Sequence, residues 1–359
     1  MKIVHTESSL GWGGQELRIL AESQGLARRG HELTLLCPPE ARIYSEAPAW
    51  GLRTVALPIG RKRPAALMAL RRWLRENPAD VVSTHSSTDS WLSALALVGS
   101  STPIVRTRHI SAAVPRNFMS RWLYSRAARI VTAGEALRRE LIERNGLSAE
   151  KVESVPTGVD PARYRPGDRA YARSQLKLPN GTLIGIVATL RSWKGHRYLL
   201  EAFAGLPFPA TLVIVGDGPQ REALEQRAKE LAITERVLFA GNQRDVVPWL
   251  QALDIFALPS YANEGVPQAL LQAMCTGLPC VTTHVGSISE LAIDGRTALV
   301  VPPMQAPPLQ QALARLIENQ DLRKSLGDAA RAHCAQTMSA ERMLDRMEAI
   351  YRSAAEAAR

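Results

Sequence analysis

Long apolar runs are missing from this 359-residue chain. None approaches the roughly 18 uncharged residues that a membrane-spanning helix requires. The N-terminal segment, where Lys2 precedes Ile3 and Val4, lacks the apolar core of a secretory signal. The sequence therefore reads as neither exported nor threaded through a bilayer. Cysteine is scarce as well. Cys37, Cys275, Cys280 and Cys334 show no C-x-x-C spacing and no companion histidine pair, which argues against a disulfide framework or structural zinc and for a reducing cytoplasm. Aromatic residues make up only 5%, and no helix-turn-helix, zinc-finger or RNP pattern supplies a groove-reading or base-stacking element, so nucleic acid is not expected as a partner. Neither a short internal repeat nor a low-complexity segment is present.

What remains is ordinary globular composition, 46% hydrophobic and 22% charged, with length enough for two cores at about 150 residues per domain. The net charge of +10 is unevenly spread: residues 1–164 hold 23 Lys and Arg against 15 Asp and Glu, and the remainder is nearly balanced. A basic half of this kind suits an anionic membrane surface or a phosphate-bearing substrate, or serves solubility.

Short apolar runs alternate with longer amphipathic stretches, the rhythm of βα units around a parallel sheet, and the pattern occurs twice. In the first half the spacing predicts strands at 3–4, 33–37, 53–57, 81–84, 104–107 and 130–133, with helices over 15–29, 65–76 and 134–145. In the second half strands are predicted at 183–188, 211–215, 237–240, 255–258, 280–283 and 298–301. The stretch 155–179, with its prolines and glycines, breaks both periodicities and reads as the linker. After Pro307 helix formers dominate, predicting terminal helices over 312–317, 322–334 and 341–358.

Four strand-to-helix turns carry polar or glycine-rich residues at the strand ends where open α/β sheets bind ligands. Gly11-Trp12-Gly13-Gly14 follows the first strand; its spacing is not the dinucleotide G-x-G-x-x-G, which disfavours a Rossmann dehydrogenase. Arg191 and Lys194 place two cations in a loop suited to a pyrophosphate. Gly216-Asp217-Gly218-Pro219 forms a third turn. The fourth, 259–267, leads into a helix whose free N-H groups and positive dipole suit a phosphate. Taken alone, each loop is equally consistent with a structural turn or a solvated surface.

Together these residues resemble a family. Pro259-Ser260, Glu264-Gly265, Pro267, Leu270-Leu271, Ala273-Met274 and Gly277-Leu278-Pro279 followed by Val281 are similar to the signature of the retaining GT-B glycosyltransferases of family 4, also called group 1. Gly13-Gly14, Pro156-Thr157-Gly158-Val159-Asp160, Lys194-Gly195 and Gly216-Asp217-Gly218-Pro219 look like further family landmarks in the same order, so the resemblance covers essentially the whole chain. It implies an α/β GT-B fold: two Rossmann-like domains facing across a cleft, with the last helix crossing back to the N-terminal domain. The expected division is an acceptor-side domain over 1–163, a donor domain over 164–338 and the returning helix over 339–359.

By the same resemblance, Glu264 lies near the transferred sugar's hydroxyls, Lys194 grips the donor diphosphate, Gly14 brings backbone to it, and His109, in Arg106-Thr107-Arg108-His109, stands near the reacting centre. His109 and Glu264 are thus the expected catalytic residues. Gly13, Gly14, Arg191, Lys194, Gly218, Gly265, Val266, Leu270 and Gln272 are the expected donor-binding set. The chain departs from the family pattern twice. The second family glutamate is Gln272, a neutral and weaker partner for a ribose hydroxyl, and the family arginine aligns with Thr189, leaving Arg191, two positions along, to supply the charge. The remaining histidines, His5, His31, His85, His196, His284 and His333, read as strand-end or surface residues, with His85, in Ser83-Thr84-His85-Ser86-Ser87, ending a strand at a place that could line the cleft.

No Asp-x-Asp motif occurs, so no metal and no other cofactor is expected, and fixed charges must stabilise the leaving nucleoside diphosphate. The implied reaction is metal-independent, retaining hexosyl transfer from a UDP-, GDP- or ADP-sugar to a glycan or lipid-linked acceptor in lipopolysaccharide or other cell-envelope glycan synthesis. A GT-B nucleotide-sugar epimerase and a non-catalytic nucleotide-sugar binding protein are the alternatives. The basic segment 61–75 adds an expectation of its own. Arg61, Lys62, Arg63, Arg71, Arg72 and Arg75 flank Leu67, Leu70 and Leu74 at helical spacing, predicting peripheral attachment to the inner face of an anionic cytoplasmic membrane, although a helix packed on a sheet shows the same stripe.

Overall fold

Unbroken runs of β-branched and aliphatic residues bury both faces of a strand, which is what a parallel sheet between two helical layers requires. The computed structural model describes residues 1–109, 114–262 and 264–358; Asn263, in the loop singled out above, lies outside the described residues. The chain forms two units, one made of residues 1–157 together with the C-terminal segment from Ala340, the other of Gly158–Ser339. Each has its own hydrophobic core.

In the first unit β1 (Lys2–Thr6), β2 (Glu32–Cys37), β3 (Arg53–Ala56), β4 (Val81–Thr84), β5 (Ile104–Arg108), β6 (Ala127–Thr132) and β7 (Val152–Ser154) form one parallel sheet in the order β3-β2-β1-β4-β5-β6-β7. In the second, β8 (Thr182–Val187), β9 (Ala210–Val215), β10 (Val237–Gly241), β11 (Ile255–Leu258), β12 (Cys280–Thr282) and β13 (Leu299–Val300) pair in the order β10-β9-β8-β11-β12-β13. Both are the Rossmann-like sheets expected. In each, the chain winds outward over two strands and then returns to the other side of the starting strand. The winding reverses between β1 and β4 and again between β8 and β11. At such a point the loops leaving the strands diverge and open a crevice at their carboxyl ends.

Two elements differ from expectation. β7 is only three residues long, too short to display a period. Within the supposed linker, Arg169–Leu176 is a helix. Asp168 caps it by accepting from the Tyr171 N–H at 3.0 Å, and Arg169 and Arg173 both pair with Asp254 at 2.7 Å. Only Ala172 is buried along it, so capping and ion pairs hold this helix rather than an apolar stripe, and hydrophobic periodicity does not reveal it. No helix among the described residues is long and apolar enough to cross a membrane.

The C-terminal helix Ala340–Glu356 belongs to the first unit and packs on the helix Gly14–Arg28. A Cβ at Gly25 would overlap Leu344, so the bare glycine sets how closely the two helices approach. Between them lies a fully buried polar group. Arg18 Nε is 3.6 Å from Glu22 Oε2, Arg18 Nη1 donates to the Val155 carbonyl at 2.6 Å, and the Tyr351 hydroxyl donates to Glu22 Oε1 at 2.7 Å. Removing one member of a buried ion pair strands the other charge, typically at a cost of about 3–5 kcal/mol. Glu22→Gln is therefore expected to destabilise the first unit by that amount in urea unfolding, and Arg18→Met/Glu22→Leu to recover most of the loss. Equal stability of Glu22→Gln and wild type would mean that the pair does not hold the C-terminal helix.

Candidate functional site

In the second unit the reversal between β8 and β11 brings together two residues that are 70 positions apart. Lys194, in the loop after β8, donates from Nζ to Glu264 Oε1 at 2.6 Å, and Ser260 Oγ, at the end of β11, donates to the same oxygen at 2.6 Å. Glu264 is 5% exposed and Lys194 about a fifth exposed, so the ammonium is the more accessible partner of the pair. Three loops clamp the pair. Tyr261 N–H donates to the Trp193 carbonyl at 2.8 Å. Gly195, at φ +78°, lies so close to the Pro259 carbonyl that a Cβ would overlap it. From the loop after β12, Gly286, at φ +60°, presses on the Glu264 carbonyl in the same way, and the adjacent Ser287 N–H donates to that carbonyl. Both glycines are needed because no side chain fits a left-handed turn in such close contact.

The other expected donor residues surround this pair unequally. Leu190 N–H donates to the Asp217 carbonyl at 3.0 Å, which brings Gly218 beside the Arg191 loop. Arg191 is exposed, with its guanidinium 5.7 Å from the Trp193 ring and no ion pair among the described residues. The side chains of Val266 and Leu270 are buried in the core, so what the helix Gln268–Cys275 offers a ligand is its N-terminal backbone. Gln272 is buried and donates from Nε2 to the Tyr164 hydroxyl at 3.0 Å. His196, read from sequence as superficial, is buried beside Lys194; burial and then the lysine charge lower its pKa to about 3, so the ring is neutral.

The first unit has its own crevice at the reversal between β1 and β4. Gly13 and Gly14 begin the helix Gly14–Arg28, and Gln15 reaches back from it to donate to Glu7 Oε2 at 2.5 Å. Glu7 Oε1 also accepts from Ser86 Oγ at 2.5 Å and from the Ser9 N–H at 2.7 Å. Asp89 accepts from Thr6, Ser8 and the backbone of His85 and Ser86, forming a capping box for the helix Ser87–Ala96.

His109, half-buried at the end of β5, heads a chain of rings that sequence reasoning did not connect. His109 Nε2 lies 3.0 Å from His85 Nδ1, and His85 Nε2 lies 2.9 Å from His5 Nδ1. Ser83 Oγ, 3.5 Å from His85 Nε2, links the chain to Tyr351 at 3.0 Å. Burial lowers the pKa of all three histidines, those of His85 and His109 well below the usual value. Neutral rings donate along such a chain in one direction only. His5 Nε2 has no partner among the described residues, and a bare lone pair there costs less than a stranded N–H. The favoured direction runs from His5 to His109 and leaves His109 Nδ1 as an N–H donor. His5 and His85 lie at strand ends as expected, and both are buried rather than at the surface.

In the segment 61–75 the expected apolar stripe is used by the core: Leu70 and Leu74 are buried and Leu67 half-buried against the sheet. Arg61, Lys62, Arg63, Arg71, Arg72 and Arg75 are all exposed and form no ion pair among the described residues.

Burial, then the charge of Asp89, raise the Glu7 pKa to about 8 against the hydrogen bonds from Ser86 and Ser9, and burial raises that of Asp89 to about 6. Glu7 thus keeps a proton that the unfolded chain releases near pH 4.5, and stability is lost as pH rises from there through 8. Glu7→Gln has no proton to lose. Its melting temperature relative to wild type should climb between pH 5 and 8 and level off above, equivalent to about 2–4 kcal/mol. A pH-independent difference would show that Glu7 is ionised throughout.

Residues 12–163 match the family described as Glycosyltransferase Family 4, and residues 168–333 the one described as Glycosyl transferases group 1. A D-inositol 3-phosphate glycosyltransferase of Nocardia farcinica is 31% identical over 90% of this chain and 81% of its own length. A 2-deoxystreptamine glucosyltransferase of Streptomyces kanamyceticus is 28% identical over 85% and 89%. Among solved structures, the Anabaena protein HepE in complex with UDP and glucose superposes with a TM-score of 0.89 at 19% identity, covering 98% of this chain and all of its own. Both halves are matched, and a relative above 30% identity spans most of the length: the chain belongs to the group 1, family 4 glycosyltransferases, with the two Rossmann-like sheets of the GT-B fold.

Proposed function

We propose that this glycosyltransferase moves a sugar from a nucleotide-sugar donor to an acceptor hydroxyl with retention of configuration and without a metal. The carrying observation is the Lys194 ammonium held against Glu264 at the winding reversal of the second unit. A cation fixed in this way stabilises negative charge developing on the departing diphosphate, as the N-terminal amides of the helix Gln268–Cys275 also do. Glu264, anchored by Ser260, orients the sugar hydroxyls. Front-face attack, with the leaving phosphate taking the acceptor's proton, needs no separate base. His109 supplies an N–H to the sugar rather than a nucleophile.

The donor is a UDP-, GDP- or ADP-sugar. HepE, solved with UDP and glucose, is a structural neighbour at 19% identity, so its ligand guides the order of testing and no more. The Nocardia relative's named acceptor is a phosphorylated cyclitol, which favours an acceptor carrying phosphate. A cell-envelope glycan or lipid-linked sugar, including a lipopolysaccharide precursor, fits that chemistry and the basic first half. Lys194→Ala and Glu264→Ala should each lower turnover about 10²–10³-fold without unfolding the chain. A folded variant that keeps more than about a tenth of wild-type activity would remove the role given to its residue. Epimer formation from a nucleotide sugar alone would replace transfer by isomerisation.

We also propose that the exposed cations of 61–75 hold the protein beside an anionic membrane, chiefly through charge, since Leu70 and Leu74 are buried. Each such cation contributes about 1 kcal/mol at an anionic surface. Arg71→Glu/Arg72→Glu/Arg75→Glu should release the protein from anionic vesicles at near-physiological salt. Unchanged co-sedimentation would assign the basic half another purpose.

A further inference from the structure

The first unit contains a cavity of about 830 Å³, at the upper end of the roughly 300–1,000 Å³ typical of small-molecule sites. One wall is apolar, formed by Leu67, Trp91, Leu92, Leu95, Met119 and Leu123, with Trp122 stacked behind Trp91 at 5.7 Å. The floor is different. Arg106 is 5% exposed, and among the described residues its Nε and Nη1 have no hydrogen-bond partner. Its guanidinium lies 4.4 Å over the ring of Tyr124, whose buried hydroxyl also has no partner among the described residues. Asp89 is the nearby acid, but its oxygens are already taken by Thr6, Ser8 and the His85 and Ser86 backbone. A guanidinium does not give up its proton, and a buried charge with empty donors is a strongly unfavourable arrangement until an anion meets it. Lys62 and Arg63, at the same cavity, add attraction from the solvent side.

We propose that this cavity seats the acceptor, and that the acceptor is a phosphate ester joined to an apolar chain: the phosphate takes the free donors of Arg106 and Tyr124, and the chain lies along the leucine and tryptophan wall. A phosphate offers three acceptor oxygens to the three unpaired donors of these two side chains, and arginine matches its geometry bidentately. His109 lines the same cavity, which brings such an acceptor to the head of the histidine chain. The glycosyl-transfer reading enters only in calling the occupant the acceptor.

Isothermal titration of the full-length protein with octyl phosphate, octyl glucoside and inorganic phosphate tests this directly. Octyl phosphate should bind at least about tenfold more tightly than either of the others. Arg106→Gln should remove that advantage while leaving octyl glucoside within about threefold of wild type, Arg106→Lys should restore part of it, and Tyr124→Phe should weaken octyl phosphate several-fold. Equal affinity for octyl phosphate and octyl glucoside would overturn the anion seat, and equal affinity for octyl phosphate and inorganic phosphate would overturn the apolar half. Tyr124→Phe, which removes a single oxygen, carries the test if Arg106→Gln does not fold; unchanged octyl phosphate binding in it would overturn the assignment of the hydroxyl and, with Arg106→Lys also unchanged, the proposal. Absence of nucleotide binding alongside the expected octyl phosphate pattern would sink the glycosyl-transfer reading and leave the anion cavity standing.

Discussion

A parallel sheet that reverses its winding leaves the carboxyl ends of two adjacent strands without a connection over them, and the chemistry of both units depends on that gap. Lys194 leaves β8 and Glu264 leaves β11, the two strands flanking the reversal, so a pair far apart in sequence meets at 2.6 Å. Glu7 follows β1 and Ser86 follows β4, the corresponding strands of the other sheet, and they meet in the same manner. Close backbone approaches at Gly195 and Gly286 then turn an open gap into a fixed one. Preorganisation of this sort lets a charge act on a ligand without first being arranged.

The same topology holds opposite electrostatics in the two units. In the second, the crevice presents an ion pair whose cation is the more exposed partner. In the first, Glu7 keeps its proton into the neutral range and three stacked or tilted imidazoles stay neutral. Carboxylates that would repel an anion are silenced or bonded, while the guanidinium of Arg106 keeps its charge in burial. One crevice thus presents a cation already paired with a carboxylate, and the other unit a cavity where buried Arg106, with Lys62 and Arg63, stands beside apolar side chains.

Most of this fold is legible in the sequence because a strand buried on both faces has little choice of composition; β8 and β9 read as strands on sight. Arg169–Leu176 is not legible, since it carries no apolar stripe and Asp254, which pairs with its arginines, lies some eighty residues further along the chain. The candidate site divides along the same line. Lys194, Glu264 and His109 lie in spaced motifs at strand ends, so reading along the chain singles them out as candidates. Ser260, Gly286 and Tyr164 support the site through contacts that exist only once non-neighbouring strands are aligned. His5 lies on β1 and His85 directly after the adjacent β4, eighty residues away in sequence, and no local pattern distinguishes them from ordinary strand-end histidines. Arg106 stands three residues before His109, yet what distinguishes it is that its buried Nε and Nη1 have no hydrogen-bond partner among the described residues, which a sequence does not record.

The return of Ala340–Glu356 to the first unit gives synthesis a direction. The ribosome delivers Met1–Thr157 first, but that unit lacks the helix carrying Tyr351, Met347 and Leu344 until the intervening unit has been made. At about 5–20 residues per second the delay is on the order of 10–40 seconds. During it Arg18 and Glu22 lack the Tyr351 hydroxyl, and the groove beside Gly25 is open. The second unit, contiguous in the chain, is free to fold as it emerges, so the half made first is the half completed last. Nascent chains stalled before Ala340 should therefore be the species most dependent on chaperones.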